Sequence, residues 1–468
     1  MNDSKLINTL KTFTKKEFKE FEWFISSPLF NKNTEVIRLL VILKKSYPDF
    51  NRKTVTHANM SHLLFKKEDI PRFRYVMTDL IRLIEKFIAF KNYTGQEHNY
   101  LIQAYKERGL NKYYQQESTK REKTLSIDST IRDDNYFKNY HELNELSYQY
   151  TSENDSRNID TELQNLVDNL DAYYLSKKLK YSCEIINRMN ILNVDYDVSL
   201  LNHLIDYVEA NNFKEVPSVM VYYQVLKTLR EPEQEANYTI LKALVVEHLF
   251  KFKKEEQNDL YGYLQNYCIK QINSGNNNYL IKLFEIYDEK LTHNISINND
   301  SIAEFDFKNI VTVALRVEKY EWTEKFIDKY QKYLPDDHHE NAVNYNKARL
   351  YFYLKEYKEG LKHLLAVEFT DIYYSLDSRA LLLKTYYELD DVESAASLIN
   401  AFRIYLKRDK TISDYQKLTY SNFLKIVHQL IRLKMGYKIN LEQIEKQLFD
   451  IKEIADLTWL NQKIEQLK

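Results

Sequence analysis

The amino-acid sequence predicts an all-α protein: a helical N-terminal bundle followed by an α-solenoid of antiparallel helix pairs. Three observations carry that prediction. Gly and Pro together supply 12 of 468 residues, far below the average of about 12 per cent, and these are the residues that turns of β-rich and α/β folds need. Apolar residues recur at helical spacing over segments of about 12 to 20 residues, separated by short polar breaks. Finally, two stretches between Asp336 and Lys407 repeat one plan with a period of 35 positions.

Residues 1–95 read as a basic helical bundle. Thr14-Lys15-Lys16-Glu17 is a capping box that opens a helix through Phe18, Phe21, Trp23, Phe24 and Ile25, which Ser27-Pro28 ends. A second helix starts near Thr34 and uses Val36, Ile37, Leu40, Val41 and Leu43 before Tyr47-Pro48 stops it. A long helix follows from about Pro71 to Phe90, where the missing N–H of Pro71 costs nothing in the first turn.

Residues 96–157 are tyrosine-rich connecting helices, with loops near Gly109 and Asp133-Asp134. Tyr100, Tyr105, Tyr113, Tyr114, Tyr136, Tyr140, Tyr148 and Tyr150 fall at roughly helical spacing and are read as core. Residues 158–335 continue as helical hairpins, with breaks at 193–197, 211–212, 231–235, 274–278 and 293–299 and with Pro217 and Pro232 near helix starts. Residues 336–407 hold the two clear repeats, and 408–468 form capping helices that include Trp459.

In the first repeat Ala348, Tyr351 and Phe352 precede a break at Lys355-Glu356, and Tyr357, Gly360 and Leu364 follow it. In the second, Leu382, Leu383, Tyr386 and Tyr387 precede Asp390-Asp391, and Val392, Ala395 and Ile399 follow. Tyr351 and Tyr386 are 35 positions apart, as are Gly360 and Ala395. Small residues at Ala348, Gly360 and Ala395 let two helices approach closely. This resembles a tetratricopeptide repeat, whose period is about 34 residues, with departures at Lys347 and Gly360. The wording at Tyr267 to Asn276, Ser378 to Glu388 and Ser27-Pro28-Leu29-Phe30-Asn31 resembles an uncharacterised all-helical family of Bacteroidota proteins. That second resemblance implies a cytoplasmic bacterial protein and carries over no functional residue.

Charge is balanced overall but not along the chain. Residues 1–95 hold 18 Lys and Arg against 10 Asp and Glu, net +8, which leaves 49 against 58, net −9, for the rest. Lys15, Lys16, Lys19, Lys44, Lys45, Arg52, Lys53, Lys66, Lys67, Arg72 and Arg74 form the candidate basic patch. It reads either as a solvated or internally docked face or as a contact for phosphates or an acidic protein. No helix-turn-helix, RNA-recognition or zinc signature accompanies it.

The six glycines make no G-x-G-x-x-G and no P-loop, and no H-E-x-x-H or G-x-S-x-G occurs. No cofactor, metal ligand or catalytic residue is therefore assigned. His338-His339-Glu340 has two adjacent histidines, which point about 100 degrees apart on a helix and rarely share a metal. With Asp336 and Asp337, Glu340 suits a helix N-terminus instead. Charged residues interrupt every apolar run at the N-terminus, and Cys183 and Cys268 have no ligand spacing, so a cytoplasmic location with no membrane segment is expected.

The repeat resemblance implies a groove lined by Tyr345, Arg349, Phe352 and Tyr353, and by Asp377, Ala380, Lys384 and Tyr387. Arg349 and Lys384 share one repeat position, while Asp377 stands where a peptide-carboxylate clamp places a Lys. The leading expectation is a non-enzymatic scaffold or adaptor holding a protein or peptide partner in this groove. The alternative is a regulator that contacts nucleic acid through its N-terminal bundle. An enzyme whose carboxylates carry no motif comes third.

Overall fold

The computed structural model describes residues 3–51, 53–93, 97–127, 130–154, 161–192, 194–297, 300–337, 339–367 and 372–468. Among these residues the protein is all-α, without a strand. They group into two units, residues 1–129 with 135–173, and residues 130–134 with 174–468.

The first unit opens with α1 (Lys5–Lys11), α2 (Lys15–Ser26), α3 (Thr34–Lys44), α4 (His57–Phe65) and α5 (Ile70–Tyr93). The capping box forms as read: Thr14 Oγ1 accepts from the Glu17 N–H at 3.1 Å and Glu17 Oε2 accepts from the Thr14 N–H at 2.8 Å. Asn33 caps α3 in the same sense, accepting from the Glu35 N–H at 3.0 Å. Leu6, Leu10, Phe21, Leu39, Leu43, Phe73, Leu80 and Phe87 then close one core, in which the Phe21 ring lies 5.8 Å from Phe13 and 5.2 Å from Phe87. Trp23 and Val41 stand outside it, with Trp23 64% exposed. Phe18, Phe21, Phe24 and Ile25 define the buried side of α2, and Trp23 lies about 200 degrees from Phe21 around the helix.

The helices α6 (Glu97–Glu107), α7 (Asn111–Ile127) and α8 (Asp134–Asn154) follow. Ile102, Tyr114, Leu125 and Leu143 form a small core against which Tyr105, Tyr140 and Tyr150 pack. Tyr114 and Tyr150 stack with centroids 4.0 Å apart. The reading of the tyrosine stripe as core needs correction at Tyr100 and Tyr113, which are exposed. They line the outer side of short helices that bury only one narrow face.

The long α9 (Thr161–Leu192) contributes its C-terminal half to the second unit. There follow α10 (Leu201–Ala210), α11 (Pro217–Arg230), α12 (Glu235–His248), α13 (Lys254–Asn273), α14 (Tyr279–Thr292), α15 (Glu304–Arg316) and α16 (Tyr320–Tyr330). Next come α17 (His339–Tyr353), α18 (Tyr357–Leu365), α19 (Ile372–Glu388), α20 (Val392–Arg408), α21 (Asp414–Lys434), α22 (Leu441–Asp450) and α23 (Leu457–Gln466). From α10 to α22 successive helices pack on one another, α23 packs on α21, and α11 with α13, α15 with α17 and α17 with α19 also touch across the helix between them. The core that starts at Leu175 runs on to Leu350, so packing continues through the boundary expected at 336.

Three successive hairpins share one turn. Glu318, Lys355 and Asp390 adopt left-handed backbone with φ of 60°, 63° and 57°. The next residue in each case donates back five positions: Lys319 N–H to the Ala314 carbonyl at 2.9 Å, Glu356 to Tyr351 at 2.9 Å and Asp391 to Tyr386 at 3.0 Å. These are Schellman closures, which satisfy the orphan carbonyls of the first helix. Five residues after each left-handed position stands a buried residue: Thr323 in the first pair, and the small Gly360 and Ala395 in the next two. The pair α15–α16 therefore belongs to the same series as the two pairs visible in the sequence.

Candidate functional site

The residues expected to line a groove in α17 and α19 are largely used inside the protein. Lys308 Nζ lies 2.5 Å from Asp377 Oδ2, and Tyr420 Oη donates to Asp377 Oδ1 at 2.6 Å. Burial disfavours the charge on Asp377, yet the Lys308 ammonium, the two hydrogen bonds and Arg349 outweigh it and hold the carboxyl below its ordinary value. Arg349 Nη1 donates to Thr312 Oγ1. Lys384 is only 9% exposed; its Nζ sits 2.6 Å from Asp456 Oδ1 and 5.2 Å from the Phe352 ring centroid. Tyr345, Ala380 and Tyr387 are buried, Tyr387 with its ring 5.3 Å from Trp459. An open cationic row of Arg349 and Lys384 is thus corrected to two cations with separate internal partners. Of the named positions Tyr353 is exposed, and Arg349 and Phe352 are half-buried.

In the N-terminal bundle Lys15, Lys16, Lys19, Lys44, Lys45, Lys53, Lys66, Lys67, Arg72 and Arg74 are all exposed, while Arg52 lies outside the described residues. Lys44 pairs with Glu22 at 2.7 Å, Arg72 pairs with Glu35 and lies 4.8 Å from the Phe65 ring, and Lys19 sits 5.3 Å from the Trp23 ring. The cations are spread over α2, the end of α3, the end of α4 and the start of α5, with Lys53 between α3 and α4. His338 also lies outside the described residues; α17 begins at His339, where Glu340 stands in its first turn.

A cavity of about 320 Å³ opens between α9, α11 and α13. Its floor is apolar, made by Val225 and Leu229 of α11 and Leu241 of α12, with Pro232 and the exposed Ile269 at its edge. Its rim is made of amides: Asn187 and Asn190 stand one turn apart on α9, and Asn266, Lys270 and Asn273 recur at helical spacing on α13. Asn266 Nδ2 points to Asn187 Oδ1 at 3.5 Å, across the recessed α11. Tyr263 and Tyr267 complete the wall, and burial pushes both phenols up, so both stay neutral donors. Lys270 is exposed and makes no ion pair among the described residues. Sequence reading passes over this site because the region has no countable period. The available signal is the Asn-x-x-x-Lys-x-x-Asn spacing on α13, which starts one residue before the stretch noted for its family resemblance and runs into it.

Asp133, Asp134 and Glu256 are buried with carboxylate oxygens within 4.8 Å of one another, close enough for a cation. Three ammonium groups already balance them: Lys253 Nζ lies 3.3 Å from Asp133, Lys177 Nζ 2.5 Å from Asp134 and Lys180 Nζ 2.7 Å from Glu256. Tyr222 Oη also donates to Glu256 at 2.6 Å. Both thiols are buried. Burial pushes Cys268 up to about 11 and Cys183 well above its ordinary value.

No family model matches the chain, and no curated protein or solved structure matches it either. None of these comparisons supports the likeness to tetratricopeptide repeats or the likeness to a Bacteroidota family. No helix among the described residues is long and apolar enough to cross a membrane.

Proposed function

We propose that this chain is a non-enzymatic cytoplasmic scaffold or adaptor whose stacked helix pairs, a tetratricopeptide-like α-solenoid, hold an extended peptide of a partner protein. The observation that carries the reading is the amide-rimmed cavity. An Asn side chain offers two donors and an acceptor, the same set that a peptide group needs, so a row of them pairs with main chain of any sequence. The apolar floor takes one side chain, and Lys270 takes a carboxylate beside it. Selection of a random peptide library displayed on phage, with the full chain as bait, tests this. The expected outcome is enrichment of sequences with an apolar residue next to Asp or Glu. Binding of such a peptide should fall about ten-fold in Asn187→Ala/Asn266→Ala, as loss of two hydrogen bonds implies. Absence of enrichment, or enriched peptides indifferent to these substitutions and to Lys270→Glu, retires the reading.

The second reading, nucleic-acid contact by the N-terminal bundle, is favoured by one observation. Lys15, Lys45, Lys53, Lys66, Lys67 and Arg74 are exposed without an ion pair among the described residues. It requires that the full chain retain RNA or DNA with an affinity that falls steeply as salt rises.

A further inference from the structure

Residues 130–134 are a non-helical stretch followed by the first residue of α8, and they are seated on the second unit. The seating resembles that of a bound peptide. The Arg132 N–H donates to the Lys251 carbonyl at 2.6 Å, a main-chain contact of the kind that fixes a strand's direction without reading its sequence. The next two residues insert carboxylates that are almost fully buried, with Asp133 2% and Asp134 3% exposed. Each meets its own cation, Lys253 for Asp133 and Lys177 for Asp134. Lys253 is also the residue from which α13 starts, so the positive end of a 20-residue helix adds to its charge. Behind them Glu256 accepts from both Lys180 and Tyr222, which fixes the floor of the site. Neither cation is sealed in: the side chains of Lys177 and Lys253 are 34% and 54% exposed. The receiving face is therefore open from the solvent side while the two aspartates cover it.

We propose that the Lys177–Lys253 face is a docking site for acidic peptide segments with two adjacent aspartates, filled in this structure by the chain's own Asp133-Asp134, and that an acidic segment of a partner protein exchanges with it. The occupant follows from what is seated there: a short irregular backbone, one main-chain donor and two consecutive carboxylates, matched by one carbonyl and two ammonium groups. This site is separate from the amide-rimmed cavity and stands or falls without it. Lys253 and Lys270 are 17 positions apart, which places them roughly 25 Å apart along α13.

The test uses the full chain and a fluorescent synthetic peptide with the sequence of residues 129–136, titrated by polarisation at low salt. Asp133→Asn/Asp134→Asn keeps the shape of the covering segment and removes its charge. This variant is expected to bind the peptide about ten-fold more tightly than the unaltered chain, since two partly exposed charge pairs no longer compete. Added salt and Lys177→Glu/Lys253→Glu should each abolish the gain. Should the double variant lose helical signal, Asp133→Asn alone carries the test, with a gain of about three-fold. Equal affinity of variant and unaltered chain overturns the proposal, as does equal binding of a peptide with Asn at both acidic positions. Preference of the variant for single-stranded oligothymidylate over the peptide also overturns it, because the cations then read phosphate.

Discussion

A methyl group added at Gly360 would lie 3.3 Å from the Ala348 carbonyl oxygen and 3.5 Å from Tyr351 Cβ. Both neighbours belong to the facing helix and one of them is backbone, so the contact yields only if α17 and α18 separate. Gly360→Leu is expected to destabilise the protein by about 1 to 3 kcal/mol through overpacking. Thermal melting with helix content followed by circular dichroism measures this, and an unchanged midpoint would remove close approach as the reason for glycine. The same scale shows why the sequence misplaced Lys384. A lysine at a repeated surface position looks like an available cation, and nothing local announces Asp456, which stands 72 positions later in the chain and is its partner. Packing partners of that separation belong to the tertiary structure.

At the scale of the helix pair, the turn at Lys355 sets the angle at which α18 leaves α17. An L-residue with φ of 63° is strained, by about 1 to 2 kcal/mol for left-handed backbone, and glycine is free of that strain but loses more entropy on folding, by about 0.5 to 1 kcal/mol. Lys355→Gly is therefore expected to raise the melting midpoint slightly, by up to about 1 kcal/mol of stability. A lowered midpoint would mean that the Lys355 side chain contributes more than its backbone costs. The turn also explains what was legible. The repeats of α17–α18 and α19–α20 show in the sequence because Gly360 and Ala395 are conspicuously small. The pair α15–α16 carries Thr323 at that place and Glu318 at its turn, residues with no turn or small-residue signature, so its membership appears only in the backbone. Helix starts were readable at Thr14 and Pro217 because capping and proline chemistry is local. The amide-rimmed cavity was not, because three helices distant in sequence build it.

Across the second unit, charges tie its later helices together. Asp377 on α19 joins Lys308 on α15 to Tyr420 on α21, and Lys384 on α19 joins the residue that opens α23. Asp377 is held below its ordinary value, so its unfolded carboxyl binds protons at a higher pH than the folded one. Its contribution is complete above the unfolded pKa of about 3.9 and is lost as pH falls through the lower folded value. Stability should thus decline below about pH 4, and Asp377→Asn should be less stable at neutral pH while showing a shallower acid limb. Denaturant midpoints measured from pH 7 down to pH 3 check both, and parallel acid limbs would remove Asp377 as the source. The tryptophans give such measurements a built-in reporter. Trp23 is open to water in the first unit, whereas Trp459 is buried against Tyr387, with its indole N–H given to Glu388 at 2.7 Å. Trp322, half-buried, gives its own to Asp288 at 3.1 Å. Because Trp23 is 64% exposed, its emission in the native protein is expected to be that of a hydrated indole that acrylamide quenches. A red shift on denaturation is therefore expected from Trp322 and Trp459, and so reports on the second unit from its middle to its last helix.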